Sequence, residues 1–188
     1  MEGADAGFDA LARLYLDDVT VQFRTLKKLA ESALARIGDP HLAAVMDSEN
    51  NSAAVLVQHM AGNLRSRWTD FLTTDGEKPD RDRDAEFEAP AAVDRAALMA
   101  AWEEGWRRLF ATLAGLGAAD LMKTVHVRAE PHSVPQAIHR QMTHQAYHVG
   151  QLVMLAKHYA ADWEALTVPR GKSREFNAAM LARGLHKN

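Results

Sequence analysis

Two histidines, His144 and His148, stand four residues apart in HQAYH, and a third, His59, lies far upstream in VQHMAGN. On a helix, residues four apart share one face with Cβ atoms about 5–6 Å apart, so both imidazoles can converge on one cation. A third ligand then has to come from another helix. Nine His in 188 residues give about 0.4 such pairs by chance, so the spacing alone decides nothing and placement must. A histidine beside a core stripe is more often a hydrogen-bonded interior residue than a ligand.

Placement depends on the elements that carry these residues. Apolar residues recur at three- and four-residue steps from Phe8 to Ile37, which predicts a long amphipathic helix stopped by a left-handed Gly38 and by Pro40. Asn51 or Ser52 caps a second predicted helix that runs through Thr73, with Leu56, Met60, Leu64, Trp68 and Phe71 on one face. The segment Thr74–Pro90 reads as a charged surface connector. A third helix is expected from the Asp94 cap to Leu116, and Thr124–Arg128 alternates as a short strand would. Ser133 and Gln136 form a capping box for a fourth helix ending at Tyr159, followed by a tail from Trp163 to Asn188. Four amphipathic helices predict an all-α four-helix bundle in one domain spanning the 188 residues, with a short strand before helix four.

At about 100° per residue, His144 and His148 lie a quarter-turn from the stripe Ile138, Met142, Val149 and Leu152, in line with Gln141. His59 and Asn63 flank the stripe of the second helix, and Asp70 continues their line as a carboxylate expected at the surface. Both sets border the interior, where bundles build metal sites. Asn63, Gln141 and Gln145 are placed to hydrogen-bond ligands or substrate, and Arg65 and Arg67 are either solvated or near an anionic substrate. His126, His132, His139 and His158 read as ordinary loop or surface residues.

Composition narrows the chemistry. Zero Cys excludes a protein thiol nucleophile and a thiolate zinc site. Lys and Arg number 22 against 25 Asp and Glu, which gives no basic field for nucleic acid. The N-terminus lacks signal-peptide features and no run reaches membrane-span length, so the expected compartment is the cytoplasm. Asp80, Asp82 and Asp84 mimic the opening of a calcium loop but lack its Gly and terminal Glu. Gly171-Lys172-Ser173 resembles the end of a phosphate loop whose first Gly is replaced by Leu166.

Three stretches carry a family resemblance: NNSAAVLVQHMAGNLRSRWTDFLTTDGEKPDRDRDAEF, KTVHVRAEPHSVPQAIHRQMTHQAYHVGQLVMLAKH and LTVPRGKSREFN. Together they resemble the DinB-like (YfiT-like) metal-dependent superfamily, in a bacterial branch described as a domain of unknown function. The resemblance covers nearly the whole chain. It implies a four-helix bundle, often homodimeric, with one divalent metal on a helix-two His and a helix-four H-x3-H pair. Those positions are His59, His144 and His148 here. Zn is the first expectation, with Ni, Fe, Mn and Cu as alternatives for imidazole ligands.

Relatives in that superfamily include a maleylpyruvate isomerase using mycothiol and transferases using bacillithiol. The resemblance therefore implies a small-molecule enzyme dependent on an external low-molecular-weight thiol. A metal-dependent hydrolase and a non-catalytic metal-binding or stress-response module are the alternatives. In the mycothiol-dependent isomerase the first member of the helix-four pair is Glu, whereas His144 stands here. Three neutral ligands would leave the ion's full charge to attract an anion into an open position.

Overall fold

The apolar periodicity resolves into helices α1 (Glu2–Leu34), α2 (Ala53–Trp68), α3 (Arg95–Gly115) and the short α4 (Ala118–Leu121). Strands β1 (Thr124–Val127) and β2 (Glu130–Ser133) follow, then α5 (Val134–Tyr159) and α6 (Ser173–Ala182). The computed structural model describes residues 2–90 and 92–184. Among these, the protein is mostly helical, with six α-helices and one two-stranded antiparallel sheet. None of the helices is long and apolar enough to cross a membrane.

The caps anticipated from the sequence are present. Ser52 Oγ accepts from the Val55 N–H, and Asp94 accepts from the N–H groups of Ala96 and Ala97. At α5, Ser133 Oγ accepts from the Gln136 N–H (3.3 Å) while Gln136 Oε1 accepts from the Ser133 N–H (2.8 Å). Each cap satisfies amide donors that a helix start leaves without partners. The start of α5 is thereby fixed, and with it the phase of its two histidines.

Helix α2 packs mainly on α3, and α1 mainly on α5, around one apolar cluster fed by all four. Phe23 of α1 meets Trp68 and Trp106 edge-on, with ring centroids 6.4 and 6.2 Å apart. Trp102 and Trp106 are fully buried and 5.4 Å apart at their centroids. The close approach of α2 and α3 requires Gly105, where a Cβ would lie 3.1 Å from both the Ala61 carbonyl oxygen and Leu64 Cβ.

Several boundaries differ from the sequence expectation. Helix α1 ends at Leu34, and Gly38 is extended (φ −64°, ψ 151°), capping a short 3-10 turn instead of turning left-handed. Helix α2 ends at Trp68, five residues before Thr73. Thr112 Oγ1 donates to the Trp68 carbonyl (3.0 Å), Asp70 turns with φ 47°, and Phe71 stacks back on Trp68 at 4.7 Å. Burial of Phe71 against Trp68 thus ends the helix. The strand expected at Thr124–Arg128 stops at Val127 and has a partner that the sequence reading did not include. The tail contains α6, none of whose residues is buried.

Arg128 and Ala129 form the two-residue turn between the strands, with φ 56° and 60°. Left-handed φ at both central positions belongs to the turn whose twist suits a hairpin, although Asn and Gly are its usual residues. Here Asp75 stabilises it. Its carboxylate accepts from the Arg128 and Ala129 N–H groups at 2.8 and 2.7 Å. The neighbouring Gly76 N–H donates to the His126 carbonyl (2.8 Å), and Ser66 Oγ of α2 donates to the Gly76 carbonyl (2.6 Å). The connector therefore ties the hairpin to α2.

Replacing Trp106 by Ala should cost about 3–5 kcal/mol, the usual range for a fully buried large aromatic. Trp106→Phe should cost clearly less, because the Trp106 indole N–H has no hydrogen-bond partner among the described residues to lose. Urea unfolding of both variants measures the difference, and a Trp106→Ala cost near zero would contradict its place in the core.

Candidate metal centre

The two helix phases bring the three histidines together. His59 Nε2 and His144 Nε2 are 3.1 Å apart, and one ring nitrogen of each of His59, His144 and His148 lies within 4.8 Å of the others. Ring centroids are 5.2 Å apart for His59 and His144, 5.0 Å for His59 and His148, and 4.6 Å within the α5 pair. Nitrogens bound to a tetrahedral zinc at about 2.0–2.1 Å would sit about 3.3 Å from one another, so a small contraction completes the cluster.

The outer ring nitrogens determine what the inner ones offer. His59 Nδ1 donates to Glu86 Oε2 (2.9 Å), and His148 Nδ1 donates to Gln151 Oε1 (2.7 Å). Committing Nδ1–H outward leaves the Nε2 lone pair facing inward, the tautomer a metal needs. His144 Nδ1 is buried without a partner among the described residues. This donor set fits a divalent cation: two imidazoles have their tautomers fixed by acceptors, and the His59 and His144 Nε2 atoms face each other at a distance that requires a proton or an ion between them.

Glu86 comes from the segment expected to be a solvated connector. That expectation is corrected here: Glu86 is only 8% exposed, on a 3-10 turn (Ala85–Phe87) that packs on α2. Gln58 Nε2 holds the turn through the Ala85 carbonyl (2.9 Å), and Phe87 lies on the His59 ring at 4.4 Å. Arg81 grips Glu86 with Nε and Nη2, at 2.8 and 2.7 Å. Burial alone would raise the Glu86 pKa, but the hydrogen bonds from Arg81 and His59 prevail and lower it. Glu86 is therefore an anion. It approaches α2 where there is no side chain, since a Cβ on Gly62 would lie 2.8 Å from Glu86 Cδ.

Burial pushes the His144 pKa down to about 3, helped by the fields of His148, His59, Arg81 and Arg67. His148 is lowered as well, chiefly by burial, against the opposing effect of the hydrogen bond it donates to Gln151. Neutral imidazoles are the metal-binding form.

A cavity of about 230 Å³ opens beside the triad and is lined by His59 and His144 together with Asn63 and Gln141. Gln141 Nε2 donates to Asn63 Oδ1 (3.0 Å). Gln145 is fully buried, does not line this cavity, and has no partner for either amide atom among the described residues. Asp70 is exposed beyond the end of α2 and Arg65 is exposed on the helix itself; neither lines the cavity, whereas Arg67 does. His126 contributes to the rim, and His139 and His158 are exposed. Among the described residues, the triad is the only cluster of three or more His, Asp or Glu with metal-binding reach.

Sequence reasoning missed Glu86, Arg81 and Gln151. Gln151 was accessible in principle, three residues beyond His148 on the same helix. Glu86 carried no periodic signal.

Residues 10–172 match the family described as "Protein of unknown function (DUF1572)". The chain belongs to that family. No curated protein matches it. In this DUF1572 member the matched span contains the triad, Glu86, Arg81 and Gln151.

Glu86→Gln should weaken metal affinity about 10–100-fold, the usual effect of removing a partner that orients a ligand. Gly62→Ala should act in the same direction by displacing the Glu86 carboxylate, although it alters no ligand. Competition titration with a chromogenic chelator checks both, and wild-type affinity in both variants would refute the role given to Glu86.

The metal-free protein should also lose stability as pH falls. Its folded pKa being depressed, His144 excludes a proton that the unfolded chain takes up below about 6.5, so stability declines from there towards about 3. Glu86 adds to the loss once pH falls below its unfolded value of 4.5. His144→Ala should flatten the upper part of the decline in thermal melts of chelator-treated protein, and an unchanged slope would contradict a buried neutral His144.

Proposed function

We propose that this chain is a divalent-metal-dependent enzyme acting on a small molecule, with His59, His144 and His148 as the metal ligands. The observation that carries this reading is the convergence of the three imidazoles, two of which, His59 and His144, line a cavity. A site closed on every side by protein favours a structural ion, whereas one that borders a cavity leaves room for an exchangeable ligand. The fold reading that goes with it is a DinB-like four-helix bundle, supported by four long helices that share one apolar cluster.

A divalent ion at this position supplies Lewis acidity and lowers the pKa of a thiol or water ligand. Zn is the first candidate, with Ni, Fe or Mn as alternatives, because neutral imidazoles accommodate all of them. The chain's residues do the rest. Glu86 and Gln151 hold the His59 and His148 rings in register, and Arg81 keeps Glu86 ionised. Asn63 and Gln141, paired across α2 and α5, present a polar wall to the bound substrate.

With no Cys in the chain, thiol chemistry requires an external low-molecular-weight thiol. The reaction class proposed is S-transfer or thiol-dependent isomerisation. A cytoplasmic homodimer completes the reading, supported by the exposed apolar residues Leu11, Leu14 and Val21 along the outer face of α1. Such a stripe on a soluble helix marks an association surface.

Conjugation and isomerisation assays should show turnover only when both metal and a low-molecular-weight thiol are present, and His59→Ala should abolish it. The double variant His144→Ala/His148→Ala should purify without stoichiometric metal while His158→Ala retains it. Full metal occupancy in the double variant would overturn the ligand assignment, and metal-dependent turnover indifferent to thiol would replace transfer by hydrolysis. Light scattering at a monomer mass near 20.8 kDa would contradict the dimer.

A further inference from the structure

The cavity beside the triad combines two kinds of wall. Arg67, Arg81, Arg83, Arg128 and Arg140 line it, and no carboxylate among the described residues does. Trp68 and Phe71, stacked on each other, supply an apolar surface. A pocket serving water alone needs neither feature.

The carboxylates that compensate these arginines stand behind the wall. Glu77 accepts from Arg67 Nη2 (3.0 Å), Arg128 Nε (2.9 Å) and Arg81 Nη1 (3.4 Å), while Glu86 takes the other face of Arg81. Glu130 accepts from Arg140 at 3.3 Å. Arg83 lies over the Phe87 ring at 4.9 Å and forms no ion pair among the described residues. Arg67 has only one arm satisfied: its Nη1 is buried with no partner among the described residues. A buried guanidinium N–H left unpaired is costly, and an anion is the partner that would remove the cost.

We propose that this cavity binds a small organic anion. Arg67, Arg128 and Arg140 hold its carboxylate or phosphate group, and its hydrocarbon part lies against Trp68 and Phe71. This rests on the enzymatic reading of the same site and supplies its substrate class. The guanidinium fork matches carboxylate and phosphate oxygens equally, so the negative group is left to measurement, whereas the aromatic wall requires a carbon body.

Calorimetric titration of chelator-treated protein with phenylacetate, phenyl phosphate and neutral phenylacetamide tests this without a metal competing for the anion. At least one of the two anions should bind, with the amide about ten-fold weaker or worse, a difference expected of a charge-assisted contact. The tighter anion identifies the group. Arg67→Gln should weaken it about ten-fold. Arg140→Gln, at a half-exposed position where folding is not at stake, should weaken it by a smaller factor while metal content stays at the wild-type level.

Equal binding of the amide, no binding of either anion, or unchanged anion affinity in Arg140→Gln would overturn the proposal. Metal loading without anion binding removes this inference alone, and anion binding without metal loading removes only the metalloenzyme reading.

Discussion

The buried Glu86 carboxylate is the constraint on which the rest of the site depends. A single anion inside the protein fixes the His59 tautomer, anchors Arg81 and fastens the connector to α2. Taking a carboxylate out of water costs several kcal/mol, roughly, unless its lone pairs are met. Arg81 meets them with a two-pronged grip and His59 with a third hydrogen bond. Gly62 makes the approach possible, since any larger residue there would occupy the carboxylate's place. The connector is thus a wall of the site, and its charges serve as internal counter-ions.

The same anion separates the roles of neighbouring groups. His144 and His148 are kept neutral chiefly by burial, and the arginine fields add to that effect at His144. Neutral ligands leave a bound cation's charge largely uncompensated, and the cavity next to them is lined by further positive charge. Both features select a negatively charged visitor. Protein carboxylates would weaken that selection if they reached the cavity, and those nearby are turned to the arginines from behind.

Helical periodicity made the triad legible because His59, His144 and His148 each sit on a long, well-capped helix whose phase the apolar stripe sets. The Ser133–Gln136 box fixed the start of α5, and with it the rotation of both histidines. What was not legible lies between helices. Glu86 is 27 residues from His59 and belongs to a segment whose composition reads as solvent-exposed, so its burial depends on a tertiary contact with Gly62 and Arg81 that no local pattern encodes. The hairpin turn at Arg128-Ala129 lacks Asn or Gly because Asp75, more than fifty residues earlier, supplies the stabilisation. The early stop of α2 depends likewise on Phe71 folding back onto Trp68. Asp70 therefore leaves the line that helical extrapolation gave it.

The central claim is that three imidazoles, with Glu86 orienting one of them, hold one divalent ion that still has an exchangeable position. X-ray absorption spectroscopy of the metal-loaded protein at the metal edge tests this most directly. The account predicts a first shell containing three imidazole nitrogens and at least one further light-atom ligand, with a sulfur scatterer replacing the latter when a small thiol is added. A shell without the imidazole signature, or one that stays unchanged in saturating thiol and saturating organic anion alike, would contradict it.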